Sequence, residues 1–303
     1  MDSLDLGFIY TYIGGFSVTG LLHLLGLCLL LRAKDGLENQ RIITINLAVT
    51  EMLNSFYQVV VSVKLLTGLD RKWLYADMFL AGTLFTMNRM VMLHLILDRC
   101  LDIYLNLKYS FYFTKSRLKW ISVSLWIFSG SIALTLALVV YSGVDFAKIE
   151  LIIGYTFFAM DILITLCGIL TYIYLFSKIS QITECERRTS VTANNQRVKI
   201  TQARFTIPCL MVATYICFNF TAAIMIMTAE MLISKIGLVK VLPIFEIAHV
   251  LILLGLFSDC VVYIFLQRSI RSQLLSMVMP LKERGLSTVS RQTIATHYKE
   301  QVQ

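Results

Sequence analysis

Ionisable side chains stand inside long apolar runs of this sequence, where a charge is costly and the available chemistry is ion pairing or the binding of a proton or a cation. An acid and a base, Asp98 and Arg99, are adjacent where one of these runs ends. Arg89 and Asn88 precede them in the same run, and Asn88 shares a helical face with Arg99. The stretch therefore predicts a helix that carries polar groups from the interior of an apolar layer to a cation at its boundary.

The patterns of common enzyme classes are missing from the sequence. It has no His/Cys cluster with metal-ligand spacing, no nucleophile elbow and no glycine-rich phosphate loop. We therefore expect no enzymatic activity, and the buried ionisable groups need another explanation.

The composition is that of a membrane protein. Hydrophobic residues make up 57% and charged residues 15% of the 303 residues, and the mean hydropathy is +0.72. A bilayer core about 30 Å thick requires about 20 mostly apolar residues per helix. Seven stretches meet this requirement and predict an all-α membrane protein, a seven-transmembrane helix bundle. The predicted spans are Gly7–Leu31, Arg41–Leu66, Trp73–Leu105, Trp120–Tyr141, Ile149–Ile179, Ile200–Met227 and Leu242–Phe265.

The remaining segments are short. Residues 267–277 predict a short amphipathic eighth helix on the membrane surface, with Ile270 and Leu274 toward lipid and Arg271 outward. Residues 1–280 would then form the bundle with its surface helix, and residues 281–303 a flexible cytoplasmic tail. No basic segment or cleavage site precedes the first span, so we expect it to be retained. The seven cysteines fall in spans or on the basic side, which predicts reduced thiols.

Lysines and arginines are distributed unequally between the two sides of the predicted bundle. One side holds twenty of the 27 and the other side six. Because cytoplasmic segments are enriched in these residues, the N-terminus is predicted to be extracellular in a multi-pass protein of the plasma membrane. The net charge of +8 is then a topology signal and an attraction to membrane lipid, and no nucleic-acid partner is expected.

Four short motifs resemble those of rhodopsin-like (family A) G-protein-coupled receptors. Residues 98–100, Asp-Arg-Cys, resemble the Asp-Arg-Tyr triplet that ends helix three, with Cys in place of Tyr. Residues 46–51 resemble the Asn-Leu-Ala-x-x-Asp signature with Glu as the acid, and Trp126 has the spacing of the helix-four tryptophan. Residues 259–263 resemble Asn/Asp-Pro-x-x-Tyr without the proline. The resemblance implies a divergent receptor that transduces an extracellular small-molecule signal to heterotrimeric G proteins.

The sixth span resembles the family more loosely. Residues 214–220 align with Phe-x-x-Cys-Trp-x-Pro, with Phe218 in the place of the Trp and Phe220 in the place of the Pro. The fifth span also has no proline. The prolines that bend helices in this family are therefore missing from the aligned places.

The resemblance implies a coupling switch at the cytoplasmic end of the third span. An acid–base pair would hold the arginine in the resting state, and tyrosines from other helices would receive it after the sixth helix moves outward. The opened cleft would admit the C-terminal helix of a G-protein alpha subunit. The predicted switch residues are Asp98, Arg99, Cys100, Tyr174 and Tyr263, with Tyr172 as an alternative to Tyr174.

His23, Glu51, Asn88 and Asp259 resemble the mid-membrane polar site of the family, which often holds sodium. Two carboxylates this close in a low dielectric cannot both stay ionised without a cation. Either a sodium ion lies between Glu51 and Asp259 or the two share a proton, and His23 in the place of the family's Asn favours the proton. Satisfied hydrogen bonds without ion traffic are the remaining alternative.

Arg89 is the most unusual of the buried groups. It lies ten positions before Arg99, hence about 15 Å deeper, and needs a partner. The family packs helix three against helix five, so we expect an Arg89–Asp161 ion pair, with Asp259 and Glu51 as rival partners. The pair is either a structural clamp or a ligand contact.

A ligand pocket is expected in the outer half, formed by Phe85, Phe218, Glu246 and His249. Glu246 and His249 are three positions apart on one helical face and could instead bond each other. Leu253 stands where an opsin has its retinal-linking lysine, so no retinal is expected.

A proton- or ion-handling seven-helix transporter is the alternative function. His23, Glu51, Arg89, Asp161 and Asp259 would form its relay. The absence of an internal repeat and of paired broken helices argues against it.

Overall fold

The structure is a computed structural model, which describes residues 3–32, 38–67, 74–105, 108–142, 146–189, 209–266, 270, 271 and 274. The described residues form helices and short connections and contain no strand. This agrees with the predicted all-α class. The first six helices are α1 (Ser3–Arg32), α2 (Glu38–Thr67), α3 (Leu74–Leu105), α4 (Tyr109–Tyr112), α5 (Lys115–Tyr141) and α6 (Phe146–Thr189).

Two further helices each contain a π-helical segment. In α7, which is described from residue 209, residues Tyr215–Phe220 are π-helical and Thr221–Ile236 are α-helical. In α8, the α-helical part Leu238–Val261 continues as a π-helical segment, Val262–Leu266.

Six helical stretches among the described residues are long and apolar enough to cross a membrane. They are Leu6–Arg32, Tyr75–Asp102, Lys115–Tyr141, Ile152–Tyr174, Cys209–Ile233 and Lys240–Ile264. The predicted second span, in α2, is not among them although α2 has 30 residues. The reason is its polar stripe, which includes Glu51, Asn54 and Gln58.

The helices form a bundle in which neighbours in sequence are mostly neighbours in space. α1 packs along α2, α7 along α8, and α8 returns to α1, so the bundle closes on itself. α3 packs against α2, α5 and α6 and also contacts the short helix α4. We call the end of the bundle that holds the start of α3 the Leu74 end, and the opposite end, where Asp98 and Arg99 lie, the Arg99 end.

Burial along α2 is the reverse of that along a helix of a water-soluble protein. Polar residues of α2 are buried: Glu51 is 1%, Asn54 2% and Gln58 9% exposed. Large apolar side chains of the same helix are exposed, among them Leu53, Phe56, Val60 and Val63. A polar interior with an apolar surface is expected where the surrounding medium is lipid.

The apolar core lies in the half of the bundle toward the Arg99 end. Leu47, Met87, Val91, Met92 and Tyr263 are at its centre, each no more than 1% exposed. The six cysteines that the structure describes in detail are free thiols, namely Cys28, Cys100, Cys167, Cys209, Cys217 and Cys260.

Three predicted boundaries are corrected. The segment after the fifth span was expected to be a polar loop from Gln181, but α6 continues to Thr189. α5 begins at Lys115 instead of Trp120, because the side chain of Thr114 accepts a hydrogen bond from the backbone N–H of Arg117 and caps the helix. The predicted outer loop between the last two spans is reduced to Gly237, which alone separates α7 from α8.

The predicted eighth helix lies mostly outside the described residues. Ile270 was expected to face lipid, but it is 0% exposed and packs into the apolar core. Leu274 also packs against that core, whereas Arg271 is exposed as expected. Ile270 and Leu274 therefore face the protein.

Gly237 makes the direct connection between α7 and α8 possible. Its φ of 84° and ψ of 155° lie in a region that is essentially restricted to glycine. We expect Gly237→Ala to lower the free energy of unfolding by about 1–3 kcal/mol, measured by thermal unfolding in detergent. Gly130→Ala is the matched control, because Gly130 is in helical conformation with open space around its Cα. An equal effect of both changes would contradict this role of Gly237.

Candidate functional site

At the Arg99 end, a buried network holds the end of α3. Asp98 and Arg99 are 3% and 2% exposed, and a guanidinium nitrogen of Arg99 donates to Asp98. The other terminal nitrogen lies 3.4 Å from Asp102 on the next helical turn. The hydroxyl of Tyr109 in α4 donates to the second oxygen of Asp98. Asp98 is thus held by partners on both sides.

Tyr109 was missed by the sequence analysis, which treated residues 107–119 as a loop. Burial, followed by the neighbouring Asp98 carboxylate, raises the pKa of Tyr109, so its hydroxyl keeps its proton and remains a donor. Its ring also stacks on Phe113 at 5.1 Å between centroids. A tyrosine followed by further aromatic residues just after the Asp-Arg pair was the available signal.

The other predicted switch residues lie at different places. The Sγ of Cys100 is 3.0 Å from the hydroxyl of Thr171 in α6. Tyr174 is 37% exposed on the outer surface, whereas Tyr172 and Arg99 line one narrow gap between α3, α6 and α7. Tyr263 contacts His23. The structure therefore places Tyr172, more than Tyr174, beside Arg99.

In the middle of the bundle, His23 joins α1 to α8. Its Nε2 lies 3.0 Å from the carbonyl oxygen of Leu256, and its Nδ1 lies 2.6 Å from the hydroxyl of Tyr263. Because a carbonyl can only accept, Nε2 carries a hydrogen, and in the neutral ring Nδ1 then accepts from Tyr263. A Glu51 oxygen lies 3.4 Å from the same Nδ1.

Glu51 and Asp259 meet beside this histidine. Their carboxyl groups lie close enough to interact, and both residues are 1% exposed. Two carboxyl groups can form this contact when they share a proton. The hydroxyl of Thr214 in α7 contacts the same Asp259. The structure thus brings together His23, Glu51 and Asp259, whereas Asn88 lines a neighbouring cavity.

Within the described residues, no group of three or more His, Cys, Asp and Glu side chains is arranged to hold a metal ion. The oxygens of Glu51, Asp259 and Thr214 are nevertheless of the kind that hard cations prefer. One of them, Oε2 of Glu51, is buried without a hydrogen-bond partner. The side chains of Glu51, Asp259 and Thr214 could therefore hold either a proton shared by the two carboxyl groups or a small cation.

Arg89 and Asp161 form an ion pair between α3 and α6. Nη2 of Arg89 lies 2.7 Å from Oδ2 of Asp161, and Nη1 donates to the carbonyl oxygen of Phe85 at 3.1 Å. Tyr215, in the π-helical segment of α7, donates its hydroxyl to Oδ1 of Asp161. The guanidinium carbon also lies 4.6 Å from the ring centroid of Phe157. The carboxylate of Asp161 therefore connects α6 to both α3 and α7.

A cavity of about 370 Å³ lies between α3, α6 and α7, and the Arg89–Asp161 pair is part of its wall. Most of the wall is apolar and includes the rings of Phe85, Phe157 and Phe158. Its polar residues are Asn54, Asn88, Arg89, Asp161, Tyr215, Asn219 and Glu230. An apolar cavity of this size with a few polar groups is typical of small-molecule sites, which occupy about 300–1,000 Å³.

The predicted ligand residues are only partly gathered in this cavity. Phe85 lines it, but Phe218, Glu246 and His249 are not part of its lining. Tyr12 of α1 donates to the backbone oxygen of Glu246 at 2.9 Å, and its ring lies 5.9 Å from that of His249. That face of α8 therefore packs on α1. His249 Nδ1 bonds the carbonyl of Phe245 at 2.7 Å instead of Glu246.

Two of the motifs also meet in space. Nε1 of Trp126 in α5 donates to Oδ1 of Asn46 in α2 at 2.9 Å. Asn46 is the first residue of the Asn-Leu-Ala motif, so the two aligned positions are joined by a hydrogen bond.

We expect Asp161→Ala to lower the free energy of unfolding by about 3–5 kcal/mol, because Arg89 would be left buried without its counter-charge. The double change Arg89→Met with Asp161→Leu should recover most of this loss, measured by thermal unfolding in detergent as a double-mutant cycle. Lys64→Ala is the control: the Lys64–Asp77 pair is 22% exposed, and its loss should cost about 0–1 kcal/mol. Equal losses of unfolding free energy in Asp161→Ala and Lys64→Ala would contradict the assignment of Arg89 and Asp161 as a buried ion pair.

The interaction between the buried carboxyl groups of Glu51 and Asp259 leads us to expect a shared proton. The melting temperature should be the same in sodium chloride and in choline chloride at equal ionic strength. Glu51→Gln should remain folded and equally indifferent to sodium, because an amide can donate the same hydrogen bond without a shared proton. A higher melting temperature in sodium for the wild type, lost in Glu51→Gln, would instead indicate a bound cation.

Comparisons with known proteins do not identify a family for this chain. No protein-family model matches the chain, and no curated protein matches it significantly. What can be proposed about family and function therefore comes from the motifs and from the contacts among their residues.

Proposed function

We propose that this chain is a divergent rhodopsin-like receptor that couples a small extracellular ligand to heterotrimeric G proteins. The observation that carries the proposal is the buried Asp98–Arg99 pair, closed by Tyr109. Its position at the end of α3 is the position at which the family resemblance expects a releasable arginine.

The proposed topology has seven spans. Six come from the apolar helices, and α2 would be the seventh, because its polar residues are buried and its exposed residues are apolar. The excess of Lys and Arg at the Arg99 end supports a cytoplasmic position for that end, and we propose an extracellular N-terminus in the plasma membrane. The cavity beside Arg89 would then open toward the outside.

We call the network of Asp98, Arg99 and Tyr109 the latch, because we propose that it holds Arg99 in the resting state and releases it on activation. Its charges are nearly matched within the protein, so the closed state is stable, yet one side depends on a single hydroxyl from the short helix α4. The narrow gap shared by Arg99 and Tyr172 lies next to Val212 of α7. Outward movement of α7 would widen this gap and offer Arg99 a new partner.

The π-helical segment of α7 would link the cavity to this latch. Tyr215 and Asn219 both belong to it and both line the cavity. π-helical turns are weaker than α-helical ones and often mark functional sites. We therefore propose that α7 bends at this π-helical segment, which takes the place of the proline that bends the corresponding helix of the family. A second π-helical segment, Val262–Leu266, includes the motif residue Tyr263.

The latch can be tested by nucleotide exchange on a panel of purified G proteins, with the chain in lipid nanodiscs. Tyr109→Phe should raise the basal exchange rate by about 2- to 10-fold, because removal of one hydrogen bond shifts the equilibrium toward the open state. Arg99→Ala should abolish exchange while the melting curve stays cooperative. Tyr112→Phe is the matched control, since Tyr112 lies on the same helix and is 48% exposed.

Unchanged exchange in Tyr109→Phe, or full activity in Arg99→Ala, would contradict the latch. A different function would be indicated if no G protein responds and the chain in liposomes carries a proton or ion flux that Glu51→Gln removes. That result would favour the transporter, with His23, Glu51 and Asp259 as its relay.

A further inference from the structure

A short segment at the Arg99 end joins two of the stretches that can cross a membrane. Tyr75–Asp102 in α3 and Lys115–Tyr141 in α5 are both long and apolar enough to do so. Residues 108–114, which include the short helix α4, lead from the end of the first stretch to the start of the second. In the proposed topology this segment therefore lies at the level of the lipid headgroups.

The segment and the first turns of α5 carry positive charge only. Their exposed basic residues are Lys108, Lys115, Arg117 and Lys119. No Asp or Glu occurs between Asp102 and Asp145. Lys115 has an interaction within the protein, and Nη1 of Arg117 donates to the carbonyl oxygen of Tyr112 at 2.8 Å, a neutral partner that leaves its charge in place. Basic residues clustered just beyond a membrane span attract anionic lipid.

Large aromatic side chains are exposed among these cations. Phe111 of α4 is 78% exposed and Trp120 of α5 is 69% exposed. Exposure of such side chains to water is costly, whereas aromatic residues, Trp above all, are favoured at the membrane interface. The inner side of α4 is fixed to the bundle, because Tyr109 donates its hydroxyl to Asp98. Phe111, on the same turn, is therefore held facing away from the protein.

Trp120 begins a stripe of exposed apolar side chains along α5. The stripe continues with Val123, Ile127, Leu134 and Leu138. At about 100° per residue, Arg117 and Lys119 lie on either side of this stripe, within one turn of Trp120. Long basic side chains can place their charge among headgroups while their methylene groups lie along apolar surface. Two cations thus flank the point where a lipid-facing stripe reaches the headgroups.

An anionic phospholipid matches these features better than an acidic protein segment does. An acidic segment would meet the cations from the water side and would leave the exposure of Trp120 on the lipid-facing stripe unexplained. A phospholipid places its charged headgroup at the level of the cations and its acyl chains beside the aromatic rings. A zwitterionic phospholipid supplies the same chains without a net charge.

We infer that α4 and the first turns of α5 bind anionic phospholipid in preference to zwitterionic phospholipid. The headgroup lies against Lys108, Arg117 and Lys119, and the acyl chains lie against Phe111 and Trp120. The inference rests on the proposed membrane topology and goes beyond the proposed coupling to G proteins.

The test measures quenching of Trp120 fluorescence by lipids with brominated acyl chains. The full chain is placed in phosphatidylcholine nanodiscs that contain the same mole fraction of either brominated phosphatidylserine or brominated phosphatidylcholine. Subtraction of the spectrum of Trp120→Phe isolates the signal of Trp120. The local concentration derived from the quenching should be about 2- to 5-fold higher for phosphatidylserine, because one Lys or Arg near an anionic membrane surface contributes up to about fivefold.

The double change Lys108→Gln with Lys119→Gln should remove this preference. Lys235→Gln with Lys240→Gln is the matched control, because it removes two exposed lysines from the Leu74 end and changes the net charge equally. The control should keep the preference of the wild type. High salt should weaken the preference in the wild type, since the Debye length falls to about 3 Å at 1 M.

Equal quenching of the wild type by the two brominated lipids, or equal loss of the preference in the two double variants, would overturn the inference. Equal quenching together with a loss of nucleotide exchange in the Lys108→Gln and Lys119→Gln double variant would overturn it in favour of a protein partner for these cations. A failed G-protein assay beside the expected lipid preference would reject the proposed coupling and leave the lipid site standing.

Discussion

The ion pair between Arg89 and Asp161 is the interaction on which the middle of the bundle depends. A guanidinium group inside an apolar bundle is tolerated only with a counter-charge and hydrogen bonds close by. Asp161 supplies the charge from α6, Tyr215 satisfies its second oxygen from α7, and Phe157 covers the guanidinium face. The relative positions of α3, α6 and α7 are therefore determined by one polar cluster, and the cavity is the space that remains beside it.

The other polar clusters follow the same rule at different depths. His23, Glu51 and Asp259 interact with one another between α1, α2 and α8, and Asp98, Arg99 and Tyr109 do so at the Arg99 end. Each cluster joins helices that are distant in sequence. Because lipid supplies no hydrogen bonds, these contacts specify which helical faces turn inward more strictly than apolar packing does.

Much of this arrangement could be predicted from the cost of unpaired groups. The periodicity of Glu51, Asn54 and Gln58 indicated the buried face of α2, and the depth of Arg89 indicated that it has a partner. The partners of Tyr109 and Tyr215 could not be predicted, because a single hydroxyl has no periodic signal and its partner is set by tertiary packing. The face of α8 with Glu246 and His249 was wrongly expected to line the cavity with Phe85, since the rotation of an almost uniformly apolar helix is not encoded in its own pattern.

The single residue between α7 and α8 restricts how those helices can move. Gly237 joins their ends directly, so α7 cannot slide along its axis without carrying α8 with it. α8 is in turn anchored to α1 through the bonds of His23 with Leu256 and Tyr263. A change of angle at the π-helical segment would therefore displace residues 209–214 of α7 sideways, while Gly237 keeps the other end of α7 at the start of α8.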